Sequence, residues 1–284
     1  MATPGEKLAE SLVKLKDLQD NGFVGIKVSD LSRVHRERLI GNGFIREVLK
    51  GWYISAPNEE HQGDSTSWYI SFWRFCARYL EDRYGDDYCI SAEQSLMLQA
   101  GNNSIPRQLI IRSTKGNNLP TKLLFGTSIF VMKSPLPGKA EIDEWNGVRK
   151  VNLPSSLVHC TPSFFSKQST DVRTALSMIK DASELLRILL DGGHSKIAGR
   201  LAGAYRNIRQ DKIACDILHT MKSAGYDVRE KDPFEEPAAI EFNFREKSPY
   251  VNRIKLMWHE MRNIIIEVFP KAPGIPANKE KFLR

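Results

Sequence analysis

The chain has 284 residues, 41% of them hydrophobic, enough for folded cores in two or three domains. Forty-one Lys and Arg against 34 Asp and Glu leave a formal charge of +7, which favours a polyanionic partner. The first ten residues lack an apolar signal core, and no apolar run approaches the ~20 residues that cross a bilayer, so the sequence predicts a cytoplasmic protein with no membrane association.

Leu8, Leu12, Val13, Leu15 and Leu18 recur at three- and four-residue steps and predict a helix over 6–20, stopped by Asn21-Gly22. Ser29 or Asp30 is expected to cap a second, brief helix. A third is expected over 32–40, with Leu39 and Ile40 turned inward and Gly41, Asn42 and Gly43 ending it. Residues 44–48 and 52–55 read as two strands around a turn at Leu49-Lys50-Gly51. Three helices and a hairpin make a winged helix-turn-helix, assigned to residues 1–57.

The polar loop 56–65, with Pro57 and Gly63, marks a boundary. Residues 64–154 are expected to form a small mixed α+β domain. It opens with an aromatic helix (Trp68, Tyr69, Phe72, Trp73, Phe75, Tyr79), then a strand at 88–90, a helix at 92–99 and strands at 108–112, 123–125 and 129–132. Residues 155–284 read as helical, with helices over 172–179, 183–190, 195–205 and 212–224. Ala198, Gly199, Ala202, Gly203 and Ala204 would admit a neighbouring helix at close range. A last helix is expected over 249–268, broken by Pro270, Pro273 and Pro276 before a basic tail. The fold class is therefore α+β.

A helix that enters the major groove needs long donors that reach base edges and phosphates together. Arg33, His35, Arg36 and Arg38 supply them on the third helix, with Val34, Leu39 and Ile40 expected on the opposite, inward side. Arg46 and Lys50 on the hairpin would grip phosphates or the minor groove. The competing possibility is a structural winged helix that packs against protein with solvated arginines.

Catalytic constellations do not emerge. GxxxxGK[ST], GxSxG, HExxH and GxGxxG are all absent, so no enzyme activity and no cofactor are expected. The six histidines, His35, His61, His159, His194, His219 and His259, are scattered and predict no metal site. Cys76, Cys89, Cys160 and Cys215 lie far apart with no CxxC pair and read as buried reduced thiols. His159 and Cys160, read as neighbours on a strand, would point to opposite faces and share no proton. Asp191-Gly192-Gly193-His194-Ser195 reads as the end of one helix and the cap of the next.

Residues 31–55, with Gly43-Phe44-Ile45 and Lys50-Gly51-Trp52-Tyr53, resemble the N-terminal winged helix of AbiEi-type abortive-infection antitoxins of type IV toxin-antitoxin systems. Tyr88-Cys89-Ile90-Ser91-Ala92-Glu93-Gln94-Ser95-Leu96 looks like the opening of their second domain. The resemblance implies an antiviral-defence regulator that binds double-stranded DNA at its own promoter and represses its operon. It implies contacts from Arg33, Arg36, Arg38, Arg46 and Lys50 and a cognate toxin partner, with the oligomeric state, monomer or dimer, left open. A second stretch, Gly192-Gly193-His194-Ser195 with Ala198 to Ala204 and Ala224-Gly225-Tyr226-Asp227-Val228, is similar to N-terminal extensions of some Fic-domain proteins. Those enzymes transfer AMP and need HxFx[DE]GNGR, which this chain lacks. The alternative it implies is a regulatory module for a Fic-type AMP-transferase.

Overall fold

The computed structural model describes residues 3–56 and 64–234. Helix α1 (Pro4–Asp20) starts at Thr3, whose Oγ1 accepts the Glu6 amide at 3.3 Å while the Glu6 carboxylate accepts the Thr3 amide at 2.6 Å. That reciprocal cap satisfies two amides that would otherwise lack partners. After strand β1 (Gly25–Lys27) the expected second helix is absent, and residues 28–30 form a turn. The physical reason is Asp30. Its amide donates to the Lys27 carbonyl at 2.9 Å, its carboxylate accepts the Lys27 amide at 2.7 Å, and the same carboxylate pairs with Arg78 at 2.9 Å. A side chain closing a turn in this way is not free to cap a helix.

Helix α2 (Arg33–Gly41) is capped by Ser32, which accepts the His35 amide at 3.3 Å. Strands β2 (Ile45–Leu49) and β3 (Trp52–Ser55) follow, joined by the Lys50-Gly51 turn in which Gly51 adopts φ +82°. The small sheet is antiparallel, in the order β1-β3-β2. Leu15, Ile26, Leu31, Leu39, Ile45 and Tyr53 form its core. Of the three residues expected to face inward on α2, only Leu39 does. Val34 and Ile40 are 58% and 43% exposed. At roughly 100° per residue, an arc centred on Leu39 places His35 and Arg36 on the inner side of the helix and Val34 on the outer.

Helix α3 (Thr66–Tyr84) carries the aromatic core, with Trp68, Phe72 and Phe75 fully buried. Side chains alternate along β3, so Tyr53 joins the N-terminal core while Trp52 and Ile54 join that of α3. Trp52 meets Phe75 and Tyr79 edge-on, at 6.0 and 5.5 Å between ring centroids. The N-terminal sheet is therefore covered on both faces.

Strand β4 (Cys89–Ile90) and helix α4 (Ala92–Gln99) precede β5 (Gln108–Ser113), β6 (Pro120–Lys122) and β7 (Ser128–Lys133). They give a sheet ordered β4-β5-β7-β6, in which β5 and β7 run parallel. The strand expected at 123–125 is instead a short 3-10 turn over Leu124–Gly126, where Phe125 takes φ +50°, incompatible with a strand. Strands β8 (Ile142–Trp145) and β9 (Val148–Val151), not expected from the sequence, form a hairpin.

Six helices follow: α5 (Leu153–His159), α6 (Pro162–Lys167), α7 (Ser169–Met178), α8 (Ser183–Asp191), α9 (Ser195–Asn207) and α10 (Asp211–Ser223). Pro154 stands in the first turn of α5, where its missing amide costs nothing. The core of these helices also takes in Ala92 and Leu96 of α4. Gly199 and Gly203 admit the irregular residues 229–232 rather than a helix. The Lys231 amide donates to the Gly199 carbonyl at 3.1 Å. The expected helix over 249–268 and the basic tail lie outside the described residues. Among the described residues, no helix is long and apolar enough to cross a membrane.

Candidate nucleic-acid interface

The six basic residues singled out from the sequence fall into three groups. Arg33 is the outermost on α2, with a side chain 80% exposed and its Nε 2.7 Å from Glu37 Oε1 one turn on. That hydrogen bond raises the Arg33 guanidinium pKa and lowers the Glu37 carboxyl. Both groups are wetted, so the pair exchanges readily for another anion. Lys50 stands exposed on the hairpin turn.

His35, Arg36 and Arg38 face the protein. His35 Nδ1 lies 2.9 Å from Ser11 Oγ on α1, and Ser11 is fully buried. Arg38 Nη1 donates to the same hydroxyl at 3.0 Å and to the Lys7 carbonyl at 2.6 Å. Arg36 Nη1 donates to the Val28 carbonyl at 3.0 Å and the Leu31 carbonyl at 3.4 Å, tying α2 to the preceding turn. Carbonyls do not neutralise a guanidinium, so Arg36 and Arg38 keep their charge and contribute to the field around α2.

Arg46 reaches outward from β2 to the Phe125 ring, 5.9 Å from its centroid. Phe125 lines a hollow of about 370 Å³ together with Tyr69 and Arg107. Tyr69 is expected only as a member of the aromatic helix, and Arg107 carries no signal in the sequence. Ser11 is likewise unmarked, because a serine inside an apolar helical stripe carries no sign of the contact it makes. Val28, like Val34 and Ile40, is exposed, so the surface of α2 and the turn before it mixes charge with aliphatic side chains.

His159 ends α5 and Cys160 follows it, so the strand argument for this pair is replaced by a helix end. Burial raises the Cys160 thiol well above its ordinary pKa, which keeps it protonated and unreactive. The His159 and His194 rings meet edge-on at 6.3 Å, and burial lowers the His159 pKa. Among the described residues, no group of three or more His, Cys, Asp or Glu is placed to hold a metal ion. Cys76, Cys89 and Cys160 are buried as expected, but Cys215 is exposed. Gly192 closes α8 and His194 precedes α9, without capping it through its side chain.

The class these elements define is an α+β protein. It has N-terminal helices with a small sheet, a mixed middle sheet and a C-terminal helical region. The chain is similar in fold to the crystal structure of the Rv2827c protein from Mycobacterium tuberculosis, with a TM-score of 0.50 and 14% identity over 75% of this chain and 81% of that one. No family model and no curated protein matches the sequence.

Proposed function

We propose that the chain is a sequence-specific double-stranded DNA-binding regulator of the antitoxin type, which represses its own operon and is not an enzyme. The observation that carries this reading is the succession of α2 and the β2–β3 hairpin, with Arg33 outward on the helix and Lys50 exposed at the turn. A helix followed by a cationic hairpin supplies one element for the major groove and one for the flanking backbone. Val34 and Ile40 beside Arg33 are suited to thymine methyl groups. His35, Arg36 and Arg38 act in this reading as supports that hold α2 at its angle, and the two arginines add charge.

Electrophoretic mobility shift with the DNA upstream of the gene tests the proposal. It expects a shifted complex that a scrambled duplex does not displace, and weaker complexes with Arg33→Gln and Lys50→Gln. A chain that shifts no duplex at low salt is not such a regulator.

The exposed Val34 and Ile40 also favour a second reading, in which α2 docks a protein such as a cognate toxin. Val34→Asp with Ile40→Asp separates the two. Lost duplex binding supports the first, whereas intact duplex binding with lost co-purification of the neighbouring gene product supports the second.

A further inference from the structure

A hollow of about 420 Å³ opens between α4, the outer face of β5 and β7, and the end of α5. Side chains alternate along β5, so Leu109 and Ile111 are fully buried while Ile110 is 39% exposed and lines the hollow. Met132 on β7 and Met97 on α4 complete an apolar floor.

The polar wall is built around Arg112, which lies opposite Met132 in the parallel register. Its Nε donates to Ser134 Oγ at 3.1 Å and its Nη2 to the Pro135 carbonyl at 2.9 Å. These bonds fix the guanidinium plane and do not use Nη1, so the group is oriented before any ligand arrives.

Gln94 also lines the hollow. It is only 8% exposed, and its Nε2 has no hydrogen-bond partner. A buried amide donor without a partner is costly to the fold, and one in the wall of a cavity gains an acceptor if its side chain turns toward a bound anion. The start of α4, with its positive dipole end, borders the same space through Ser91 and Ala92. One carboxylate, Glu93, is present, with its Oε1 already accepting the Thr161 amide at 3.2 Å. Arg112 is thus the one guanidinium among the lining residues, set beside Gln94 and an apolar floor.

We propose that this hollow binds a small organic anion. Its carboxylate or phosphate head pairs with Arg112 and accepts a hydrogen bond from Gln94, while its apolar body lies on Ile110, Met97 and Met132. The volume suits a body the size of a substituted ring, and the proposal stands independently of the duplex reading.

Isothermal titration of the full chain with phenyl phosphate, benzoate, inorganic phosphate and benzyl alcohol is the test. At least one aromatic anion is expected to bind saturably, and the stronger of the two identifies the head group. Inorganic phosphate and benzyl alcohol should each bind about tenfold more weakly or worse, because each lacks one half of the recognition. Arg112→Gln and Ile110→Asp should each weaken the anion about tenfold, and Gln94→Leu several-fold. Ile110 is a surface position, so that variant keeps the test decisive if Arg112→Gln fails to fold. No saturable binding of either anion, equal binding of inorganic phosphate, or binding unchanged by Ile110→Asp would overturn the proposal.

Discussion

Gly199 and Gly203 lie one turn apart on α9, and the irregular residues 229–232 pass directly over them. A Cβ at Gly199 would fall inside the Arg229 carbonyl, and one at Gly203 inside the Lys231 carbonyl. Both obstacles are backbone and cannot rotate aside, so Gly199→Ala must lift the segment. Lifting breaks the Lys231 to Gly199 hydrogen bond, about 1 kcal/mol, and uncovers Val228, now 5% exposed, for about 2 kcal/mol more. The better helix propensity of alanine returns about 1 kcal/mol, leaving a net loss of roughly 2 kcal/mol. Urea unfolding followed by tryptophan fluorescence should show a midpoint lower by about 1 M, given a slope of about 2 kcal/mol/M. Gly5→Ala on α1 is the matched control. A Cβ there meets nothing within 4 Å, so the same substitution should stabilise by about 0.5–1 kcal/mol. A Gly199→Ala protein with the wild-type midpoint refutes the packing argument.

Arg38→Ala removes the donor that joins α2 to Ser11 and the Lys7 carbonyl, and should cost about 1–2 kcal/mol in urea unfolding. Arg33→Gln should leave the unfolding midpoint where it is, since it pairs with the wetted Glu37. Trp52→Ala empties a position shared by the small sheet and α3, and a loss of about 3–5 kcal/mol is expected by the same measurement. Iodoacetamide at pH 8, read by peptide mass, should label Cys215 in the native protein. Burial pushes Cys89 up to about 11 and raises Cys76 and Cys160, so those three stay protonated and shielded until urea is added. Labelling of Cys76 in the native protein would contradict the α3 core.

Long helices with a continuous apolar stripe, α1 and α3 among them, were legible because their period repeats over several turns. The α2 stripe was not, because nine residues hold too few repeats to choose between an arc on Leu39 and one on Val34 and Ile40. Packing made that choice, through the buried Ser11 that lets α2 approach α1. The β8–β9 hairpin did carry a local signal. Asn146-Gly147, both at positive φ, is a preferred two-residue turn. Of the candidate interface, exposed Arg33 and Lys50 were legible as charge. The tethering of Arg36 and Arg38 was not, because it depends on which carbonyls the turn at 28–30 and the α1 backbone present to them.

Whether α2 and its hairpin grip a duplex shows in how binding responds to salt. Fluorescence anisotropy with a labelled duplex from upstream of the gene, titrated at increasing salt, should give a log K that falls linearly with log salt. Arg33→Gln and Lys50→Gln should each reduce that slope by about one phosphate contact. Binding indifferent to salt, or slopes unmoved by both substitutions, would contradict the account.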